Sequence, residues 1–453
     1  MESETSALLT DLYQLNMIQG YLDHGETETA VFDLFVRTLP ERRAFLVAAG
    51  LEPALRFLER LRFTAEDVEW LASTGRFRDN MLDYLASLRF TGDVHAMPEG
   101  TVFFPEEPIL RVTAPLPEAQ LVETRMLNFL HFQSLIASKA ARMVLAVSDK
   151  TLVDFGLRRA HGAEAGLMAA RASYIAGFAG TATVLAEELY GIPSFGTMAH
   201  SFVEAHDHET VAFEHFARSR PEQLTLLIDT YDTEEGARKV VALAPRLAAD
   251  DIRIAAVRLD SGDMIALSRS VRRILDEGGL DDVSIFASGG LDEDRLLEMS
   301  MAGAPIDGFG IGTSLVTSSD APSLDCAYKL QEYRGIPRRK RSEDKATWPG
   351  RKQVWRQSGP DGRMERDVLS VETDEHPGEP LLVQVMRNGR VLEPAPSLAE
   401  ARERCARQLG ALPERLRRLD GSAGYPVQVS PELERLAEEV DRRLALAEEV
   451  DDG

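Results

Sequence analysis

From about residue 150 onward the chain repeats one unit: a short apolar run ends in polar or glycine residues, and a helix-like segment follows. The runs are TLVDFGLRR from Thr151, IPSFGTMAH from Ile192, QLTLLIDTYD from Gln223, IRIAAVRLDSGD from Ile252, VSIFASGGLD from Val283 and IDGFGIGTS from Ile306. Between them, TEEGARKVVALAPRL, MIALSRSVRRILDEG and DEDRLLEMSMAG place apolar residues three to four apart, the spacing of one buried helix face. Apolar strands alternating with helices predict a parallel sheet covered by helices, and a spacing of roughly 30 residues fits βαβ units. No glycine-rich fingerprint follows the first run, so the pattern favours a barrel over a dinucleotide-binding sheet. The expected fold is an irregular parallel α/β barrel with an α+β N-terminal domain and a C-terminal extension.

A barrel of this kind carries its chemistry at the C-terminal ends of the strands. Those ends hold Arg158 and Arg159, then Thr197 and His200, then Asp229 and Asp232. Next come Arg258, Asp260 and Asp263, then Ser288, Gly289 and Gly290, and last Gly310, Gly312 and Thr313. Cations, carboxylates and glycine backbone in one ring suit a phosphorylated sugar. In GFGIGTS and ASGGLDED, glycines let backbone N–H groups approach a phosphate with no Cβ in the way. In RLDSGD, Arg258 offers a planar fork for carboxylate or phosphate, and Asp260 and Asp263 can hold sugar hydroxyls or the hydration shell of Mg²⁺. The plainer reading is a strand-end salt bridge followed by a helix cap at Ser261 or Asp263.

GTMAHSFVEAHDHET holds His200, His206 and His208. Zinc needs converging ligands, and His206 and His208 sit in an acidic stretch with no such spacing, so no metal ligands are assigned. His200 follows a strand run at the expected barrel mouth, where Asp229 is placed to orient its ring.

Around the barrel, residues 1–150 form an N-terminal domain ending in the helix-like run LVETRMLNFLHFQSLIASKAARMV, whose apolar stripe reads as core or subunit interface and whose His131 reads as packed. The barrel is expected over 151–330. Residues 331–453 begin with a basic stretch, Arg334–Arg356, that reads as a solvated loop or as a wall for a polyphosphate. A hairpin is expected at Asn388-Gly389, and a charged helix fades into an acidic tail. The net charge of −23 disfavours nucleic acid and anionic membrane as partners. No apolar run approaches the roughly 20 residues of a membrane span, and the acidic start lacks the pattern of a signal peptide. Two cysteines in no metal or redox spacing fit reduced thiols and a cytoplasmic location.

Taken together the motifs resemble those of the nicotinate phosphoribosyltransferases, of the type II phosphoribosyltransferase class. LLTDLYQLNMIQGYL, TRMLNFLHFQSLIASKAARM, DFGLRRAHG, GTMAHSF, LLIDTYDT, VRLDSGD, ASGGLDED, DGFGIGTSLVTS and PGRKQVWR occur in family order from Leu8 to Arg356. SLAEARER and YPVQVSPEL extend the similarity further. The resemblance implies transfer of phosphoribose from phosphoribosyl pyrophosphate to nicotinate, with Mg²⁺, and coupled to ATP hydrolysis through a phosphohistidine at His200. It puts nicotinate contacts on Tyr13, supplied by the neighbouring subunit of a homodimer with a shared site, and on Thr197 and Arg258, with Arg158 as a further member. Phosphate contacts fall on the two glycine turns, from Ser288 to Gly290 and from Gly310 to Thr313. Asp260 would hold the ribose hydroxyls and Asp229 the His200 ring. Ala182 departs from the polar residue expected of many relatives. The competing readings are nicotinamide as acceptor, a phosphosugar aldolase or isomerase, which the absence of lysine at the quoted strand ends disfavours, and a non-enzymatic binding protein.

Overall fold

The computed structural model describes residues 6–342, 345–392, 397–420 and 424–451. Two compact units emerge: residues 136–322, and residues 1–135 together with 323–453.

In the first unit, six parallel strands run in the order Gly180–Thr181, Thr151–Asp154, Gly308–Ile311, Ser284–Ser288, Ile254–Leu259, Leu224–Leu227. The last strand in sequence lies beside Thr151–Asp154, Phe309 opposite Leu152, as in a sheet curling back on itself. The two ends of this order do not pair with each other, which leaves an irregular half-barrel with a seam. Expectation and structure part at IPSFGTMAH. Its sole ladder contact is a parallel bridge from Ser194 to Thr181. Pro193 lacks an amide hydrogen and Gly196 weakens an extended run, so no full strand forms. The three expected helices are Thr233–Ala248, Met264–Glu277 and Glu293–Met301, capped by Asp232, Asp263 and Asp292.

The second unit redraws the expected boundaries at 150 and 330. Its seven-stranded sheet interleaves early and late chain: Ile336–Pro337, Cys326–Tyr333, Thr29–Val36, Pro108–Pro115, Asp93–Ala96, Val383–Arg387, Arg390–Val391. Thr29–Val36 is buried along seven of its eight residues and needs partners on both edges. Cys326–Tyr333 supplies one, with Phe32 opposite Leu330. This strand, most of it expected in the barrel, and Val383–Arg387 from the expected extension thus complete the N-terminal sheet. The hairpin at Asn388-Gly389 forms, with left-handed φ of 48° and 71° that the turn requires. His131 is packed as expected, accepting from the Leu324 amide at 2.9 Å.

Much of the basic stretch is paired within its own unit, while Lys340, Arg341 and Lys345 are exposed outside regular structure. Lys352 and Arg356 are buried on the strand Lys352–Ser358, Arg351 pairs with Glu332 at 3.0 Å, and Arg339 and Arg341 face Asp441 at 3.3 and 3.6 Å. Residues 343–344 of this stretch, and the end of the acidic tail at 452–453, lie outside the described residues. Among the described residues, no helix is long and apolar enough to cross a membrane.

Candidate active site

A cavity of about 870 Å³ opens at the C-terminal ends of the parallel strands. Arg158, Thr197, His200, Arg258, Asp260, Ser288, Gly289, Gly290, Gly310, Gly312 and Thr313 all line it. Eleven residues expected at the site, scattered over more than 150 positions, thus meet at one mouth because parallel strands place all their C-terminal ends on the same side.

Arg258 is the centre of the polar network. Its Nε donates to Ser288 Oγ at 2.8 Å, Nη1 to Thr197 Oγ1 at 2.9 Å and Nη2 to Asp260 Oδ1 at 2.7 Å. The guanidinium lies 5.4 Å from the centre of the Phe155 ring. A guanidinium has five N–H donors, so three bonds leave one donor on each terminal nitrogen. The guanidinium so held keeps donor capacity for an anionic ligand, which a carboxylate suits. Asp260 also accepts from Ser288 Oγ. Burial pushes the Asp260 carboxyl up, but the Ser288 hydrogen bond and the Arg258 charge outweigh it and hold it below the ordinary aspartate value. Asp260 is therefore an anion throughout the neutral range.

The glycine turns behave as expected. Gly289 and Gly290 have φ of 93° and 63°, a region that side-chain-bearing residues rarely adopt. A Cβ on Gly289 would come within 2.1 Å of the Asp260 carbonyl oxygen, whereas nothing lies within 4 Å of one on Gly290. The first glycine thus permits close packing and the second leaves room for a ligand. On the neighbouring strand, a Cβ on Gly310 would strike the Phe155 ring at 2.4 Å. Phe155 can lie against Arg258 only because position 310 is glycine. Thr313 begins the turn Thr313–Val316 that follows Gly312.

His200 opens the short helix His200–Glu204. Its side chain is 40% exposed, and Nε2 stands 3.9 Å from Asp260 Oδ2. Asp229 does not orient this ring, contrary to expectation. Nδ1 instead meets Thr230 Oγ1 at 3.2 Å, while Asp229 Oδ2 accepts from the Asp260 amide at 2.9 Å and the Ser261 hydroxyl at 2.6 Å. Adjacent residues point to opposite sides, and Thr230 is the one that turns toward the histidine. Asp229 Oδ1 is buried with no hydrogen-bond partner.

Asp263 is corrected as well. Its Oδ1 accepts from the Ile265 and Ala266 amides at 3.1 Å, so it caps a helix and does not line the cavity. His206 bonds to the Phe202 carbonyl and to His215, and no group of three or more ligating side chains suited to a metal occurs among the described residues. Tyr13 lies in the other unit, on the helix Leu12–His24, with its side chain exposed. Sequence reasoning missed Phe155 and Thr230, and read Ser261 only as a candidate helix cap. Each was inside a quoted motif, but an apolar ring and two hydroxyls carry no signal of their own.

Family models bring independent weight to this geometry. Residues 8–131 match the nicotinate phosphoribosyltransferase N-terminal domain, 150–335 the nicotinate phosphoribosyltransferase family and 377–437 its C-terminal domain. The chain belongs to the nicotinate phosphoribosyltransferase family. It is 50% identical over 432 residues to a nicotinate phosphoribosyltransferase of Mycobacterium tuberculosis, covering 95% of this chain and 93% of that protein. It is 39% identical to the Bacillus subtilis nicotinate phosphoribosyltransferase, covering 78% and 74%. The crystal structure of human nicotinic acid phosphoribosyltransferase superposes with a TM-score of 0.87 at 32% identity, covering 95% of this chain and all of that one. The parallel half-barrel and the interleaved antiparallel sheet are thus the fold of this family of type II phosphoribosyltransferases.

Proposed function

We propose that this nicotinate phosphoribosyltransferase family member transfers phosphoribose from phosphoribosyl pyrophosphate to nicotinate, for NAD biosynthesis in the cytoplasm. The observation that carries the acceptor is Arg258 in the cavity wall, with two N–H donors beyond its three hydrogen bonds. A carboxylate accepts both N–H groups, whereas an amide offers them a single oxygen. Arg158, exposed at the rim, adds a second cation, and Tyr13 from a partner subunit of a homodimer would close the acceptor pocket. The turns at Ser288–Gly290 and Gly310–Thr313 would receive the sugar phosphate.

The pyridine nitrogen is already a nucleophile, so no strong base is required. It attacks C1 of the ribose as the bond from C1 to the diphosphate breaks. Positive charge develops on the sugar, and the chain's task is to place the reactants and to stabilise the charge that moves. Asp260, held ionised in the cavity wall, would take the sugar hydroxyls. Mg²⁺ would neutralise the leaving diphosphate. This ion usually keeps most of its waters and binds through one or two carboxylates plus substrate oxygens. Asp260 and the unpartnered Oδ1 of Asp229 fit that modest demand. His200, half-open with Nε2 making no hydrogen bond among the described residues, is the group that would accept the γ-phosphoryl of ATP. A phosphohistidine brings negative charge and acceptor oxygens to the mouth and can thereby shift affinity between substrate and product.

The test is product formation from phosphoribosyl pyrophosphate and Mg²⁺ with nicotinate, nicotinamide or quinolinate, each with and without ATP. Product from nicotinate, increased by ATP, is the expected result. Product from nicotinamide alone would overturn the reading of Arg258.

A further inference from the structure

Behind the two glycine turns lies a buried charge cluster that the chemistry above does not use. Lys139 and Arg142 come from the C-terminal half of the helix Glu123–Ala146. Lys139 Nζ stands 2.5 Å from Glu293 Oε2 and 2.7 Å from Asp320 Oδ1, and Arg142 Nε donates to Glu293 Oε1 at 3.0 Å. The side chains of Lys139, Arg142 and Glu293 are 2%, 4% and 2% exposed and that of Asp320 is 16% exposed. Lys139 and Arg142 thus set two cations against the carboxylates of Glu293 and Asp320.

Its position matters more than its strength. Glu293 lies three residues after Gly290, as the first residue of the helix that leaves that turn. Asp320 lies one residue after Ser319, which lines the cavity on the segment following Thr313–Val316. The ammonium thus joins the segment behind one glycine turn to the segment behind the other. A second tie runs in parallel, from the Ser314 hydroxyl to the Leu291 carbonyl. No strand pairing reaches past Ser288 and Gly310, where the ladder between these two strands ends. Beyond that point side chains must set the separation of the turns.

We infer that Lys139 is a positioning residue for the phosphate site: it fixes the spacing between the 289–290 and 310–313 turns so that one phosphate can be held by both. This rests on the reading of those turns given under the proposed function. A buried ion pair is weak support for stability in itself, because desolvation offsets much of the attraction. Conserving geometry between two loops is a use that a hydrophobic pair of the same volume could not match, since neither carboxylate-bearing loop would then be gripped.

The experiment compares wild type, K139M/D320N and D320N. The double variant removes the tie by deleting one cation and one anion together, and it leaves the Arg142–Glu293 pair in place. Binding of nicotinate mononucleotide and of nicotinate is measured by calorimetry, alongside KM for each substrate, kcat and Tm. The inference expects roughly tenfold weaker binding of the mononucleotide by K139M/D320N and a matching rise in KM for phosphoribosyl pyrophosphate. Nicotinate binding stays as in wild type and kcat changes by less than about threefold. D320N alone gives a smaller loss in the same phosphate-dependent parameters, and K139R recovers most of the affinity because a guanidinium can bridge both carboxylates. Wild-type mononucleotide affinity in a folded K139M/D320N overturns the inference. If that variant does not fold, unchanged affinity in D320N overturns it. Failure of the wild type to bind the mononucleotide would instead strike the proposed function.

Discussion

Arg356 and Arg258 each grip an aspartate, at 2.5 and 2.7 Å, in different units of the molecule. The side chains of the first pair are 3% and 0% exposed, those of the second 14% and 24%. Arg356 gives two of its nitrogens to the two oxygens of Asp367 and a third to Gln408, and Tyr425 caps the same carboxylate at 2.9 Å. Beside it Glu107 is wholly buried, and burial together with the nearby Asp367 pushes its carboxyl well above the usual range. Arg356, Asp367 and Glu107 are sealed, with Gln408 and Tyr425 half-buried at their edge. Arg258 spreads its bonds over three residues from three segments and lines an open cavity. The same residue pairing therefore serves integrity in one place and recognition in the other, and solvent access separates the two.

The largest effect should come from breaking the sealed pair. R356M strands Asp367 and costs on the order of 3–5 kcal/mol. Chemical denaturation reads this, and a midpoint equal to wild type would remove the distinction between the clusters.

Asp154 sharpens the comparison from the barrel side. It is 1% exposed and burial pushes its carboxyl up to about 6, despite hydrogen bonds from the Thr181 hydroxyl and the Gly156 amide. A raised carboxyl keeps its proton in the folded chain after the unfolded chain has lost it. Its contribution is therefore full below the unfolded value near 4 and declines as pH rises to about 6. Relative to D154N, the wild type should lose on the order of 2–3 kcal/mol over that window and nothing more above it. Parallel stability curves for the two proteins across this range would contradict the assignment.

H200A comes next. ATP should no longer raise transfer, and basal transfer should stay within roughly tenfold of the wild type without ATP, the range of a typical coupling energy. Wild-type ATP hydrolysis in this variant would remove His200 from the coupling. The smallest effect belongs to D263A, which loses a helix cap and about 1 kcal/mol, with KM values unchanged. A rise in KM for phosphoribosyl pyrophosphate would return Asp263 to the site.

Much of the barrel rim was legible because its residues sit at strand ends, and strand ends show in a sequence as the place where apolar runs stop. The glycine turns were legible for the same reason. Side-chain direction was not. Asp229 and Thr230 are neighbours, and nothing local tells which one turns toward His200. Asp263 illustrates a second limit, since a carboxylate at a helix start suits a cap and a ligand site equally well. The pairing of Phe32 with Leu330 joins positions nearly 300 residues apart. Local pattern cannot report that two such distant segments meet, so the sequence alone puts Leu330 with the barrel and residues 331–453 in a separate extension. The buried role of Lys352 and Arg356 was hidden likewise, because a cluster of basic residues looks solvated until its partners, Asp33 and Asp367, are known.

Transfer to nicotinate by R258M, measured beside its Tm, tests most directly the claim that the open arginine exists for the acceptor. The account predicts at least about a hundredfold loss of kcat/KM for nicotinate, the scale of removing a charged donor from an active site, with Tm within about 3 °C of wild type. Wild-type transfer by R258M, or a collapse of Tm like that expected for R356M, would contradict it.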